Sequence, residues 1–479
     1  MQISPLNGRQ LKSASAVHCE PRHRGASLAT RSLQLALVSL LLAASAAFAQ
    51  EPELPPGFVY EVVYQGLSNP VDVAFAPNGH VFFAQKDGSV RVAVGGELLA
   101  RPFIDMTDTV NSLGDRGLVG VTVNPRFPAV PHVYIAYVYE PPESVNVPGP
   151  RIDVLQGTRA SRLIRVTADP ATGYSTAIPG SEVMLLGRNS DVQFMGDMGV
   201  RNPPEPSCGN IGQYVQDCLP ADEHSHTIGR VRFGPDGALY VGSGDGADYH
   251  STQPYHIRTL HLDSLAGKVL RIDPFTGQGL PDNPFYDGNP DSNRSKVLNY
   301  GLRNPYSFTF HPETGELVMG EVGWANWEMI KVGSGFNFGW PCYEGANGEL
   351  LQQASFQRYD ECQALYEGEF GEIKAPSFAY DRQGTGGAII VGDFYTGDTW
   401  PDRYHGVLLV ADYYQGWIRT VDLDLDGPSP ELEPFASVPF PVYVGFGPDR
   451  ELYFLNVWGG QMVRLRYAGE APGSLPATR

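Results

Sequence analysis

One phrase recurs along the chain: an apolar run of period-two alternation, a turn rich in Pro, Gly, Asn or Asp, and a second apolar run ending near glycine. It opens as "NPVDVAFAPNGHVFFAQKDGSVRV" from Asn69 and returns as "RGLVGVTVNPRFPAVPHVYIAYVYE" from Arg116. A third copy runs from His226, a fourth from Arg303, a looser fifth from Gly386 and a sixth from Phe440. Alternation of period two places successive side chains on opposite faces of a strand, and the turn residues set the hairpins. Six such units separated by irregular loops predict an all-β, six-bladed β-propeller with four-stranded antiparallel blades. Further strands such as "SRLIRVTA" and "GKVLRID" complete individual blades, and the unpaired "FVYEVVYQG" from Phe58 is placed to close the ring in the last one. The segments 140–222 and 340–385 carry no strong periodicity and read as ordered loops. The propeller is expected over 58–467, after a short N-terminal segment, 50–57, and before a tail, 468–479.

Glycine (55) and proline (40) are abundant, as many tight turns require. The net charge of −19 disfavours a nucleic-acid partner, which needs a basic face. Residues 1–49 end in an arginine, an apolar run and Ala-Phe-Ala, the pattern of a secretory signal cleaved before Gln50. An uncleaved anchor is the rival reading, but the apolar run is short for a span, and no stable membrane span is expected after cleavage. Beyond the leader stand Cys208, Cys218, Cys342 and Cys362. Their even number in an oxidising compartment predicts Cys208–Cys218 and Cys342–Cys362 disulfides by proximity, with four buried thiols as the alternative. A periplasmic or secreted protein follows.

A propeller brings the starts of its innermost strands together around a central channel. In this chain those starts are polar: Asp115 and Arg116 before "GLVGV", His226 before "TIGRVRF", Arg303 and Asn304 before "PYSFTF". His226 has the pKa range of a general base, and otherwise reads as a structural hydrogen-bonder. Arg303 offers a planar fork to a carboxylate or carbonyl ligand, and with Asn304 otherwise caps a blade turn. "GEVGWANWEMI", Gly320 to Ile330, reads as a tryptophan-anchored loop, or, through its carbonyls and Glu321 or Glu328, as a hard-cation site. "GDGAD", with Asp245 and Asp248, is a fragment of a calcium loop without the spacing of an EF-hand.

"HTIGRVRFGPDGALYVGSGDG", "GLRNPYSFTFHPETGEL" and "GFNFGWPCYEG", in this order, resemble the glucose/sorbosone dehydrogenase family over about Gly57 to Tyr467. The resemblance implies a six-bladed propeller, pyrroloquinoline quinone (PQQ) and Ca2+ as cofactors, and oxidation of a sugar or alcohol hydroxyl with transfer to an external electron acceptor. It makes His226 the catalytic base, Arg303 and Asn304 the quinone contacts, Asp115 a substrate contact, and the carbonyls of Gly323 and Trp324 the calcium ligands. This chain departs from the family pattern at three places. Val322 replaces a glutamine, Tyr413 or Tyr414 stands near the fifth-blade lysine position, and "PFPVYVGFGPDREL" lacks paired arginines. A non-catalytic propeller that binds glycan or protein is therefore the alternative reading, and a calcium-dependent hydrolase using Glu321 or Asp245 the third.

Overall fold

The computed structural model describes residues 52–147, 155–200, 202–346, 348–423 and 430–469. The expected leader and most of the tail lie outside them. Six antiparallel blades are formed. Their innermost strands are Pro70–Phe75, Leu118–Val123, Ile228–Phe233, Ser307–Phe310, Ile389–Phe394 and Pro441–Phe446. Each of the six strand-turn-strand copies read in the sequence supplies the inner part of one blade.

The strand Phe58–Gln65 pairs antiparallel with Gln461–Tyr467, from Phe58 opposite Tyr467 to Gln65 opposite Gln461. It is the fourth strand of the sixth blade, so the ring closes where the sequence predicts. The seam also carries charge. Glu61 accepts from Arg464 Nε at 2.9 Å and from Arg466 Nη2 at 3.1 Å.

The apolar faces pack between neighbouring blades. Phe82, Val90, Leu118, Val121 and Ile135 fill the space between the first two, and Trp400, Ile418, Phe454 and Leu465 that between the last two. A propeller thus has several cores rather than one, each made by the outward alternate positions of the strands.

Below its mouth the channel is crossed by polar side chains. Arg232 of the third blade binds Asp72 of the first, with Nη2 2.6 Å from Oδ1. Arg230 donates to the Val391 carbonyl of the fifth blade at 2.9 Å. Both guanidinium groups lie against the Tyr443 ring of the sixth. Arg232 is ion-paired and the buried Arg230 is hydrogen-bonded to a carbonyl, as burial demands, and they put a floor under whatever the mouth holds.

The two segments expected to be loops hold more structure than their sequence periodicity suggests. Residues 140–222 contain the strand read as "SRLIRVTA", Arg159–Thr167, and beyond it a further strand of the second blade, Val183–Leu186, and a short edge strand, Leu219–Ala221. Residues 340–385 contain a hairpin, Tyr343–Ala346 with Glu349–Gln352, a helix, Asp360–Tyr366, and the outer strand of the fourth blade, Phe378–Asp381. Strands of three or four residues are too short to display an alternation. Both expected disulfides, Cys208–Cys218 and Cys342–Cys362, are formed. Among the described residues, no helix is long and apolar enough to cross a membrane.

Candidate active site

The polar ends of the inner strands do meet at one mouth. His226 lies two residues before Ile228, where the third inner strand begins, and its Nδ1 is 2.9 Å from Asp245 Oδ1. The hairpin makes this pair. Ile228 stands opposite Ser243, and continuing the antiparallel register by two residues brings His226 opposite Asp245. His226 sits at φ +48°, a left-handed conformation that a non-glycine residue holds only when its surroundings fix it. A Cβ at Gly244 would lie 2.3 Å from the His226 carbonyl oxygen, so glycine is required for this approach.

The imidazole tautomer follows from the partners of Asp245. Its Oδ1 accepts from Nδ1 of His226 and from the Ala247 amide at 3.0 Å; its Oδ2 accepts from Trp340 Nε1 at 2.9 Å. Burial works against the charge on Asp245, but His226, His256 and Arg303 hold its pKa below the ordinary carboxylate range. An ionised carboxylate only accepts, so Nδ1 carries the proton and Nε2 keeps a lone pair. Burial, and then the charge of Arg303, push the His226 pKa below its usual value, while Asp245 pulls the other way. The imidazole is therefore neutral at neutral pH, which is the state a general base needs.

Arg303 joins the same cluster. Its carbonyl accepts from the Asp245 amide at 2.7 Å, its guanidinium lies 5.5 Å from the rings of both Trp324 and Trp340, and its Nη1 donates to the Val322 carbonyl at 3.1 Å. Its Nε is a buried donor without a partner among the described residues. Asn304, half-buried, follows it. The carboxylate of Glu321 accepts, through Oε1, from the Arg303 amide and, at 3.4 Å, from the Asn304 amide. It therefore pins the pair in place. Asp115 is exposed at the mouth; its amide donates to the His224 carbonyl at 2.7 Å, and its charge reaches His226, Tyr413 and Tyr414.

Arg116, next to it, has a structural task. It is fully buried and donates to five carbonyls: Glu223 (3.1 Å), Leu155 (2.9 Å), Gly157 (2.8 Å), Ala221 (2.8 Å) and Asp222 (3.3 Å).

The carbonyl oxygens of Gly323 and Trp324 accept from Arg382, at 2.6 Å from Nη2 and 3.4 Å from Nη1. A guanidinium stands where the resemblance implies calcium. Asp248 caps a turn through the Ser251 amide at 3.0 Å. Among the described residues no three His, Cys, Asp or Glu side chains gather as a metal site.

Sequence reasoning missed Asp245 as the partner of His226, although the hairpin register contains it. Trp340 and Arg382 come from distant loops, and nothing local in the sequence announces them.

His256, fully buried beside Asp245 and packed against Trp324, Trp340 and Phe356, is pushed down to about 4 by burial. In the unfolded chain it titrates near 6.5. As pH falls, the unfolded chain takes this proton first, so stability present above pH 6.5 is lost progressively down to about pH 4. At about 1.4 kcal/mol per pKa unit, this one group accounts for roughly 3 kcal/mol. Urea melts at pH 7 and pH 4.5 are expected to show the loss, and His256→Phe to shrink it.

The sequence profile of the family described as Glucose / Sorbosone dehydrogenase matches residues 67–169 and 213–438. The HIPL2 protein of Arabidopsis thaliana is 24% identical over 412 residues, covering 75% of this chain and 53% of the relative. Quinoprotein glucose dehydrogenase B of Acinetobacter calcoaceticus is 22% identical over 336 residues, covering 65% of this chain and 60% of the relative. The chain thus spans a little over half the length of the curated relatives it matches. Among solved structures, the soluble aldose sugar dehydrogenase of Escherichia coli, in its apo-form, aligns with a TM-score of 0.59 at 19% identity, over 86% of this chain and 99% of that one. The PQQ-bound aldose sugar dehydrogenase of Streptomyces coelicolor aligns with a TM-score of 0.54 at 17% identity, over 86% of this chain and 99% of that one. At these identities the structural likeness establishes the fold.

Proposed function

This chain belongs to the glucose/sorbosone dehydrogenase family, and from that premise we propose that it is an exported, PQQ-dependent dehydrogenase of a sugar or related alcohol. The observation that carries the reading is the buried His226–Asp245 pair, with its imidazole neutral, beside the unpartnered Nε of Arg303. A planar, acidic quinone fits that donor, which is held in place by Trp324 and Trp340. Asn304 would add an amide to the same ligand. The chemistry that PQQ supplies when bound is acceptance of the hydride leaving the carbinol carbon.

The residues of the chain supply the rest. His226 Nε2 takes the hydroxyl proton, and the ionised Asp245 stabilises the imidazolium that forms through Nδ1. Asp115, exposed at the mouth, is placed to accept from another hydroxyl of the substrate. The polar floor formed by Arg232, Asp72 and Arg230 closes the channel below. An external acceptor then removes the electrons. Calcium has no part in this proposal, because the two carbonyls assigned to it are bonded to Arg382.

A second reading, a propeller without a quinone that binds glycan or protein at the same mouth, is favoured by that same arginine and by Tyr413 and Tyr414 near the expected lysine position. A spectral titration of the purified protein with PQQ separates the two. Saturable binding, followed by aldose-dependent reduction of an artificial acceptor, is expected. No spectral change at stoichiometric quinone would favour the second reading. Export is tested by locating the mature N-terminus, expected at Gln50.

A further inference from the structure

The turn between Gly323 and Trp327 is clamped from two sides. Its amides point at Glu344, a buried carboxylate that accepts from Trp324 N–H at 2.7 Å and from Ala325 N–H at 3.0 Å. Its carbonyls point at Arg382, whose own amide donates to the Asn326 carbonyl at 2.8 Å. Arg382 is in turn fixed by Glu328, which is fully buried: Nε donates to Oε1 at 2.7 Å, and the second oxygen accepts from the Ile389 amide at 2.9 Å. The strand that begins at Ile389 is innermost in the fifth blade, so this pair ties the fourth blade to the fifth. A Cβ at Gly387 would approach Arg382 Nε and Glu328 Oε1 to 3.0 Å, so the chain runs close over the pair.

A divalent calcium ion needs six to eight oxygens at about 2.3–2.6 Å. Two of the oxygens in question are already bonded to Arg382, Glu328 is already paired with it, and Glu344 is taken up by the amides of the turn. An ion could enter only by displacing a guanidinium that makes bonds to three residues. We propose that Arg382 is the built-in cation of this site: held by Glu328, it takes the Gly323 and Trp324 carbonyls where the family resemblance implies a divalent ion, so the turn is organised without calcium. The charge of Arg382 also acts on Arg303, which places two guanidinium groups near the mouth for an anionic ligand. The proposal stands whether or not the chain binds a quinone.

The test uses the whole chain, stripped of metal with chelator. In equilibrium dialysis the wild type is expected to take up no stoichiometric calcium at millimolar free ion, and its melting temperature to be the same in chelator and in calcium. Arg382→Gln frees two carbonyls and the Glu328 carboxylate. That variant is expected to melt lower in chelator and to regain stability with calcium, a response that a second change, Glu328→Gln, removes. A calcium ion bound to the wild type and lost in Glu328→Gln would overturn the proposal. So would an Arg382→Gln protein that melts like the wild type and shows no response to calcium. If Arg382→Gln does not fold, terbium decides on the wild type alone. No emission sensitised through Trp324 and Trp327 is expected, and saturable emission abolished by excess calcium would overturn the assignment. None of these measurements requires a quinone, so this proposal and the dehydrogenase reading fail separately.

Discussion

Replacing His226 with alanine is expected to lower turnover of the quinone-loaded protein by roughly two to four orders of magnitude, the usual contribution of a positioned general base. The reason lies in the pairing. Only Nε2 has a lone pair directed away from Asp245, and the other neutral imidazole beside that carboxylate, His256, is fully buried. His224, two residues earlier, lies edge-on to Tyr249 at 5.7 Å between ring centres, and its Nδ1 is 3.9 Å from Glu223 Oε2, against 2.9 Å for the His226–Asp245 pair. His224→Ala is accordingly expected to change turnover little. The pH profile gives a second check. Because burial and Arg303 depress the pKa of His226, the acidic limb of kcat/KM should fall below the ordinary imidazole range near 6.5. Turnover of His226→Ala equal to that of the wild type would remove the base assignment. Asp245→Asn separates positioning from proton transfer. An amide can present its NH2 to Nδ1 and select the wrong tautomer, so kcat should fall while quinone binding persists.

The second large effect is on stability. Arg116→Ala is expected to destabilise the fold by about 3–5 kcal/mol, because several buried carbonyls lose their donor at about 1–3 kcal/mol each. The five carbonyls that its guanidinium joins belong to two separate stretches, 155–157 and 221–223. Without it, each buried acceptor loses its donor, and the polar loop before the third blade loses its anchor. Arg116→Lys should recover little, because an ammonium has neither the plane nor the five donors of the fork. Chemical denaturation of both variants checks this, and a midpoint within error of the wild type would contradict it.

The blades were legible because each inner hairpin repeats the same alternation around a Gly- or Pro-containing turn, and that pattern survives between unlike loops. The strands Val183–Leu186 and Leu219–Ala221 were not, since four and three residues cannot display a period. At the site, His226, Arg303, Asn304 and Asp115 were visible as polar residues at strand starts, a position that depends only on local order. Asp245 was within reach of the same reasoning. Glu344, Trp340 and Arg382 were not, because their partners lie far along the chain: Arg382 reaches the Gly323 turn through the pairing of Trp327 with Asp381 inside the fourth blade, and Trp340 reaches Asp245 of the third, and no local pattern encodes either contact. The expected calcium ligands show the same limit from the other side: the carbonyls of Gly323 and Trp324 are met by a side chain that comes from elsewhere.

The seam between Phe58–Gln65 and Gln461–Tyr467 joins the first strand of the propeller to the last. At ribosomal rates of about 5–20 residues per second, the strand made first waits roughly 20–80 s for its partner. Throughout that interval it offers an unpaired edge, with Val62 and Val63 exposed even in the finished ring. Release of a shortened chain, stopped before Gln461, would leave that edge permanently open together with the Leu452–Asn456 strand it should have helped to cover. Premature stop codons before Gln461 are therefore expected to yield aggregates rather than a slightly smaller propeller.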